Sequence, residues 1–112
     1  MPKQLAKKPI DRDDIEYSFD HCVQRFSERY NRILTREKYD EYNKEIRIFI
    51  ESQFTKSSIH KLELISRETN LVVTTYTIKL VDDIEIYASF EKERNRITTF
   101  FPPYSVKQKN KK

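Results

Sequence analysis

A histidine and two arginines stand four residues apart in the first third of the chain, at His21, Arg25 and Arg29. In an α-helix a step of four residues turns about 40° around the axis, so these three side chains would form one slanting ridge. Arg32 and Arg36 extend the ridge. A guanidinium donates two parallel hydrogen bonds to a phosphate, and a histidine exchanges its proton near neutral pH. The spacing is consistent with phosphate chemistry, but a solvated helix face that carries internal ion pairs is the more ordinary explanation of spacing alone.

A second candidate segment is the run Arg96–Pro102, where two threonines stand among large apolar residues. We predict a β-strand there, with Ile97, Thr99 and Phe101 on one face because side chains alternate along a strand. A hydroxyl on an inward face needs a hydrogen-bond partner, and a phosphate oxygen is one such partner. Threonine is also an ordinary strand former, so the segment by itself indicates little more than a strand.

Apolar periodicity predicts that two helices precede the strands. Apolar residues recur at steps of three and four between Ile15 and Tyr30, which predicts a helix from about Arg12 that ends near Asn31. Thr35 is a favoured N-cap, so a second helix should begin after it. The apolar positions of that second helix are Tyr39, Tyr42, Ile46, Phe49, Ile50 and Phe54.

After Phe54 the period changes to two, which is typical of strands. The predicted strands contain Leu62–Leu64, Val72–Leu80, Ile84–Phe90 and Arg96–Phe101, and the predicted turns are Arg67–Asn70, Asp82–Asp83 and Glu91–Asn95. We therefore expect an α+β fold, with two N-terminal helices packed on one face of a roughly four-stranded antiparallel sheet. The predicted core contains Phe19, Phe26, Tyr42, Ile46, Phe49, Ile78, Ile86 and Phe90.

Composition restricts the possible functions. The 112 residues include no glycine, which excludes the glycine-rich loops that bind nucleotide phosphates. One cysteine and two histidines cannot form an intramolecular disulfide or a four-ligand zinc site. No apolar run is long enough to span a membrane, and the lysine-rich start lacks the apolar stretch of a signal peptide. We expect a cytoplasmic protein without cofactor, metal or membrane contact.

The positive charge is concentrated at the two ends. Net charge is +4, yet residues 1–10 and 105–112 hold seven lysines and no acid. Without those lysines, residues 11–104 hold 15 basic and 18 acidic residues. We predict basic, disordered tails at 1–10 and 105–112 around a single domain at 11–104.

Four short motifs carry a resemblance to a known group. They are His21-x-x-x-Arg25-x-x-x-Arg29-Tyr30, Ile33-Leu34-Thr35-x-x-x-Tyr39, Ile84-Glu85-Ile86-Tyr87 and Arg96-Ile97-Thr98-Thr99-Phe100-Phe101-Pro102. Over roughly residues 15–103, the chain resembles the barnase–EndoU–colicin–RelE group of compact, metal-independent ribonucleases, many of them toxins of phage or plasmid type. Such proteins usually have glycine in the inter-helix turn and the central hairpin, where this chain has Asn31 and Asp82–Asp83.

The resemblance implies that RNA is cleaved by its own 2′-hydroxyl. His21 would transfer the proton, Arg25 would stabilise the charged phosphorane, and Thr99 would orient the phosphate or the histidine. The implied RNA-binding residues are Arg29, Arg32, Tyr87 and Arg96, with Tyr87 either as a platform on which a base stacks or as a second acid. RNA is the implied partner, together with a possible antitoxin or immunity protein.

Other interpretations stay open. His60, beside Lys61, is a secondary candidate for the proton carrier, although a histidine at the edge of a loop is more ordinary. Cys22 adjoins His21 but points about 100° away on a helix, so we assign it to the core. The same ridge could belong to a non-catalytic nucleic-acid-binding module, or the chain could be a small phage-like protein that binds and modulates a protein partner.

Overall fold

The computed structural model describes residues 12–55 and 59–102. That part contains helices α1 (Arg12–Tyr30) and α2 (Arg36–Glu51) and strands β1 (Lys61–Asn70), β2 (Val73–Val81), β3 (Glu85–Glu91) and β4 (Arg96–Phe101). The strands form one antiparallel sheet in the order β1-β2-β3-β4. The predicted α+β fold is confirmed. The predicted tails at 1–10 and 105–112 lie outside the described residues.

Local sequence explains where the helices begin and end. α1 ends where Asn31 adopts a left-handed φ of 57°, a conformation that asparagine tolerates better than most residues. Thr35 is the N-cap of α2, and its Oγ1 accepts a hydrogen bond from the N–H of Lys38 at 3.1 Å. Both predicted helix starts are confirmed.

The helices cover one face of the sheet, and the core lies between the two layers. Of the predicted core residues, Phe26, Tyr42, Ile46, Phe49, Ile78, Ile86 and Phe90 are buried, and Phe19 packs against them half-buried. Cys22 belongs to the same core, as predicted, and is fully buried. Burial raises the pKa of its thiol to about 12, so the thiol stays protonated and donates to the carbonyl of Ile97.

The first hairpin differs from the prediction. Arg67–Asn70 is not a turn but the last part of β1, where Arg67 pairs with Tyr76 and Asn70 with Val73. The turn falls instead on Leu71 and Val72, and Leu71 adopts a φ of 60° with a side chain that is 92% exposed. Since leucine rarely occupies this region, no residue preference marks the turn in the sequence.

The remaining turns follow the prediction. Asp83 and Asn95 supply the positive φ of the β2–β3 and β3–β4 turns, in a chain without glycine. Among the described residues, no helix is long and apolar enough to cross a membrane.

Candidate nucleic-acid interface

Helix α1 lies alongside the edge strand β4 and runs in the same direction. The Nε of Arg96, at the start of β4, donates to Ser18 Oγ at 3.1 Å. Near the end of β4, the carbonyl of Phe100 accepts a hydrogen bond from Arg29, and the carbonyl of Phe101 accepts one from Tyr30 Oη at 2.6 Å. Ser18 and Arg29 are eleven positions apart, which is about 16 Å along a helix and close to the length of a short strand. The segment of α1 that carries His21 and Arg25 therefore runs beside β4.

His21 and Arg25 lie on the flank of α1 that faces away from α2. Phe19 marks the opposite flank, because its ring contacts the ring of Tyr39 on α2 with centroids 5.4 Å apart. His21 follows Phe19 by two residues, so its side chain points about 200° away from that of Phe19 around the helix axis. Arg25 lies about one turn further along, on the same side of the helix as His21. Both side chains are half-buried. The predicted ridge is thus placed at the outer edge of the sheet rather than in the core.

The cations of the ridge differ in whether an acid neutralises them. Arg25 pairs with Glu28 at 2.9 Å, and this hydrogen bond lowers the pKa of the Glu28 carboxyl. Arg32 pairs with Asp83 at 3.1 Å. Arg36 does not extend the ridge as predicted, because it is the first residue of α2, where it binds both Glu16 and Asp40. In the part of the chain that the structure describes, Arg29 makes no ion pair and His21 has no hydrogen-bond partner.

Thr99 is not where the prediction placed it. Ser89 lies opposite Thr99, but Phe90 lies opposite Ile97, so Thr98 is an extra residue in β4. This bulge turns Ile97 and Phe100 into the core and Thr99 to the other face of the sheet. The expectation that Ile97, Thr99 and Phe101 share a face is wrong. Thr99 stands at the same sheet edge as His21 and Arg25, and no hydrogen bond between described residues joins it to either.

Tyr87 and Arg96 are not open to solvent, which corrects their prediction as surface contacts for RNA. Tyr87 is 3% exposed, which leaves little of its ring open for a base to stack on, and its backbone N–H donates to Tyr30 Oη at 2.9 Å. Arg96 is 5% exposed, and its guanidinium joins β4 to Ser18 of α1 and to the carbonyl of Arg94.

His60 belongs to a buried cluster rather than to a loop surface. Its ring packs edge-on against Tyr42 with centroids 5.3 Å apart, and Nδ1 lies 3.9 Å from Asp82 Oδ1. Asp82 Oδ2 accepts hydrogen bonds from Lys38 Nζ at 2.9 Å and from Tyr42 Oη at 3.0 Å. The bond from Lys38 is the main reason that the pKa of Asp82 falls below its usual value. His60 Nε2 is buried and forms no hydrogen bond with a described residue.

This cluster of Lys38, Tyr42, His60 and Asp82 is the group that the sequence did not reveal. Lys38, Tyr42 and Asp82 line a cavity of about 170 Å³. The sequence shows only that Lys38 and Tyr42 are four residues apart on a predicted helix. It places Asp82 in a predicted turn and gives that residue no further role. Because the cation and the carboxylate of this cluster pair with each other, the cavity has no clear preference for a charged ligand.

Among the described residues, no group of three histidine, cysteine or acidic side chains is placed to hold a metal ion. Comparison of the chain with protein-family models, curated proteins and solved structures found no match. The resemblance to the barnase–EndoU–colicin–RelE group therefore stays a prediction, and a function rests on the contacts of this chain itself.

Proposed function

We propose that the protein is a metal-independent endoribonuclease that binds the RNA backbone along the ridge of His21, Arg25 and Arg29. The observation that supports this most is the state of Arg29. Its half-buried guanidinium is fixed to the Phe100 carbonyl and, unlike those of Arg25 and Arg32, makes no ion pair with a described residue. A partly desolvated, oriented guanidinium is a strong donor to a phosphate oxygen.

The reaction proposed for this edge is internal transesterification. The 2′-oxygen of the RNA forms a bond to the adjacent phosphorus, the bond from phosphorus to the 5′-oxygen breaks, and a 2′,3′-cyclic phosphate results. His21 makes one of the two proton transfers, either taking the proton from the 2′-hydroxyl or giving one to the leaving 5′-oxygen, and water makes the other. Arg29 and Arg25 stabilise the extra negative charge of the phosphorane. Arg25 must exchange its bond with Glu28 for one with phosphate, at small cost because that ion pair is exposed.

The biological setting that we propose is the cytoplasm, where RNA is the substrate and cleavage inhibits growth. An antitoxin or immunity protein would then be needed to cover the ridge.

The test is incubation of the purified protein with total RNA in excess EDTA. We expect cleavage, and we expect His21→Ala to reduce the rate roughly 100- to 10,000-fold, the usual contribution of a positioned acid or base. The fold should persist, because His21 makes no hydrogen bond with another described residue. His60→Ala is the matched control and should cleave as wild type once folding is verified by circular dichroism. Absence of cleavage by the wild type would refute the proposal, and loss of activity in His60→Ala alone would move the proton carrier to the buried cluster.

A second candidate function is nucleic-acid binding without cleavage. The position of Thr99 on the face of the sheet away from the helices favours it, since the threonine does not orient His21. In that case the wild type would leave RNA intact, and Arg29→Gln would weaken RNA binding.

A further inference from the structure

Strand β1 forms one edge of the sheet, and no described residue pairs with its outer side. It stands first in the order β1-β2-β3-β4 and pairs with β2 alone. The opposite edge is different, because side chains of α1 and α2 bind the backbone of β4. At ten residues, β1 is also the longest of the described strands. An edge of this length presents a row of backbone donors and acceptors to a further strand.

Large apolar side chains are exposed at both ends of β1. Ile59, two residues before the strand, is more than half exposed. Leu71 and Val72, in the turn that follows the strand, are largely exposed. Two β1 strands that pair antiparallel would bring the beginning of one beside the end of the other. Ile59 of each chain would then lie close to Leu71 of the second copy, and both side chains would lose contact with water.

A bulge in β1 determines which of its charged residues share a face. Ile65 is an extra residue, because the residues of β2 opposite Leu64 and Ser66 are consecutive. Without the bulge, Lys61 and Glu68 would lie on opposite faces, since they are seven positions apart. With it, both lie on the face away from the helices. Each is paired with one of the half-buried residues of β2 that alternate with its buried core residues.

Lys61 and Glu68 can therefore pair between two copies of β1. When residues 61–68 of both strands pair antiparallel around a two-fold axis perpendicular to the sheet, Lys61 of each copy lies opposite Glu68 of the other. Opposite charges on directly opposed residues stabilise an antiparallel pair. In this register Glu63 lies opposite Ser66, and no like charges are opposed. Neither Lys61 nor Glu68 makes an ion pair with a described residue of its own chain.

We propose that β1 pairs antiparallel with β1 of a second copy of this chain. The four strands of each copy then form one continuous eight-stranded sheet. A two-fold contact of this kind uses the same strand of both copies, so it closes at a dimer. The dimer does not depend on the proposed cleavage. Helix α1 lies beside β4 at the opposite edge, so the ridge of His21, Arg25 and Arg29 stays uncovered in both copies.

The test is sedimentation velocity of the full chain over a series of concentrations. We expect the wild type to show a reversible equilibrium between monomer and dimer. Lys61→Glu and Glu68→Lys should each weaken dimerisation about tenfold or more, because each substitution opposes like charges twice in the symmetric dimer. Lys44→Glu, at an exposed position of α2, is the matched control and should dimerise as the wild type does.

A mixture of the two charge-reversal variants tests the register directly. In a mixed dimer of Lys61→Glu with Glu68→Lys, both contacts again join opposite charges. We therefore expect the equimolar mixture to dimerise about as tightly as the wild type, although each variant alone does not. A dimer formed through another surface would not show this rescue.

Leu71→Asn separates association from folding. Asparagine tolerates the left-handed φ of 60° at this position better than leucine does, so the dilute monomer should unfold at the same temperature or a higher one. Its dimerisation should nevertheless weaken roughly tenfold, because the apolar contact with Ile59 of the second copy is lost.

Three results would overturn the proposal. They are a wild type that stays monomeric at its highest soluble concentration, a dimer that neither charge reversal weakens, and a mixture that dimerises no better than its two components. Since sedimentation does not measure cleavage of RNA, each of these results is separate from failure of the cleavage assay.

Discussion

Asp82 accepts two hydrogen bonds from α2 and so joins that helix to the β2–β3 turn. Its pKa is lowered in the folded protein, first by the bond from Lys38 and then by the one from Tyr42, while burial opposes the shift. A carboxyl with a lowered pKa contributes stability that is full above its unfolded pKa and is lost as the pH falls through the folded pKa.

We therefore expect Asp82→Asn to lower the free energy of unfolding at neutral pH by about 1–2 kcal/mol, the range for partly exposed charge-assisted bonds. Urea denaturation at several pH values measures this. The difference from wild type should begin to shrink below about pH 4, where the carboxyl of the unfolded chain becomes protonated, and should continue to shrink at lower pH until the folded carboxyl is protonated as well.

Asp83→Asn is the control for this prediction. The adjacent side chain pairs with Arg32 at the surface, and asparagine tolerates its φ of 75° equally well. Loss of the Asp83 carboxylate should lower the free energy of unfolding by no more than about 0.5 kcal/mol. If both substitutions cost the same, the junction formed by Asp82 contributes no more than a surface ion pair.

At the residue scale, the local sequence predicts which side chains share one side of a helix but not all of the contacts that they make. His21, Arg25 and Arg29 were placed on one flank because helical spacing determines it. Asp82 and His60 are 22 positions apart, and no periodicity relates them. Their proximity follows from the register of the β1–β2 hairpin, in which Lys61 pairs with Val81, and the sequence does not reveal that register.

Among the secondary-structure elements, β4 shows how this sheet protects one of its edges. An unpaired edge exposes backbone groups that can pair with another chain. Here the N–H of Ile97 donates to Asn43 Oδ1 at 2.7 Å, and its carbonyl accepts from Tyr39 Oη at 2.7 Å. Side chains of α2 thus replace the missing neighbouring strand at this position.

Replacement of Asn43 should reveal the contribution of this contact. Asn43→Leu leaves the buried N–H of Ile97 without an acceptor and should lower the free energy of unfolding by about 1–3 kcal/mol. Asn43→Asp keeps the acceptor and should restore part of that loss. Lys44→Leu, at the next and exposed position, should change stability by less than about 0.5 kcal/mol. Chemical denaturation compares the three, and equal losses for Asn43→Leu and Asn43→Asp would contradict the assigned role.

The type of each element was predictable, whereas strand register was not. β4 is predicted with its observed bounds because Arg96–Phe101 is rich in residues that favour strands and Pro102 follows it. The bulge at Thr98 has no signal in the local sequence, since both threonines suit a strand, and one extra residue moves every side chain beyond it to the other face. That single residue is why Thr99 faces away from the helices.

For the whole molecule, the distribution of charge matters more than its sum. The seven lysines of residues 1–10 and 105–112 account for the positive net charge. If the protein binds RNA, replacement of all seven by glutamine should weaken binding and reduce the slope of log K against log salt by up to about 5, given about 0.7 per cation on a single strand. Fluorescence anisotropy across a salt series measures the slope. An unchanged slope would mean that these lysines do not contact RNA.

The pairing of α1 with β4 has a consequence for biosynthesis. Ser18 and Arg96 are 78 positions apart, and Arg29 and Phe100 are 71 apart, yet each pair is hydrogen-bonded. While the chain is still growing on the ribosome, the apolar side of α1 has no strand to cover it. Contacts between residues so distant in sequence form late and slowly. We expect nascent chains stalled before Arg96 to remain sensitive to protease, and chains that extend past Pro102 to become resistant only after release.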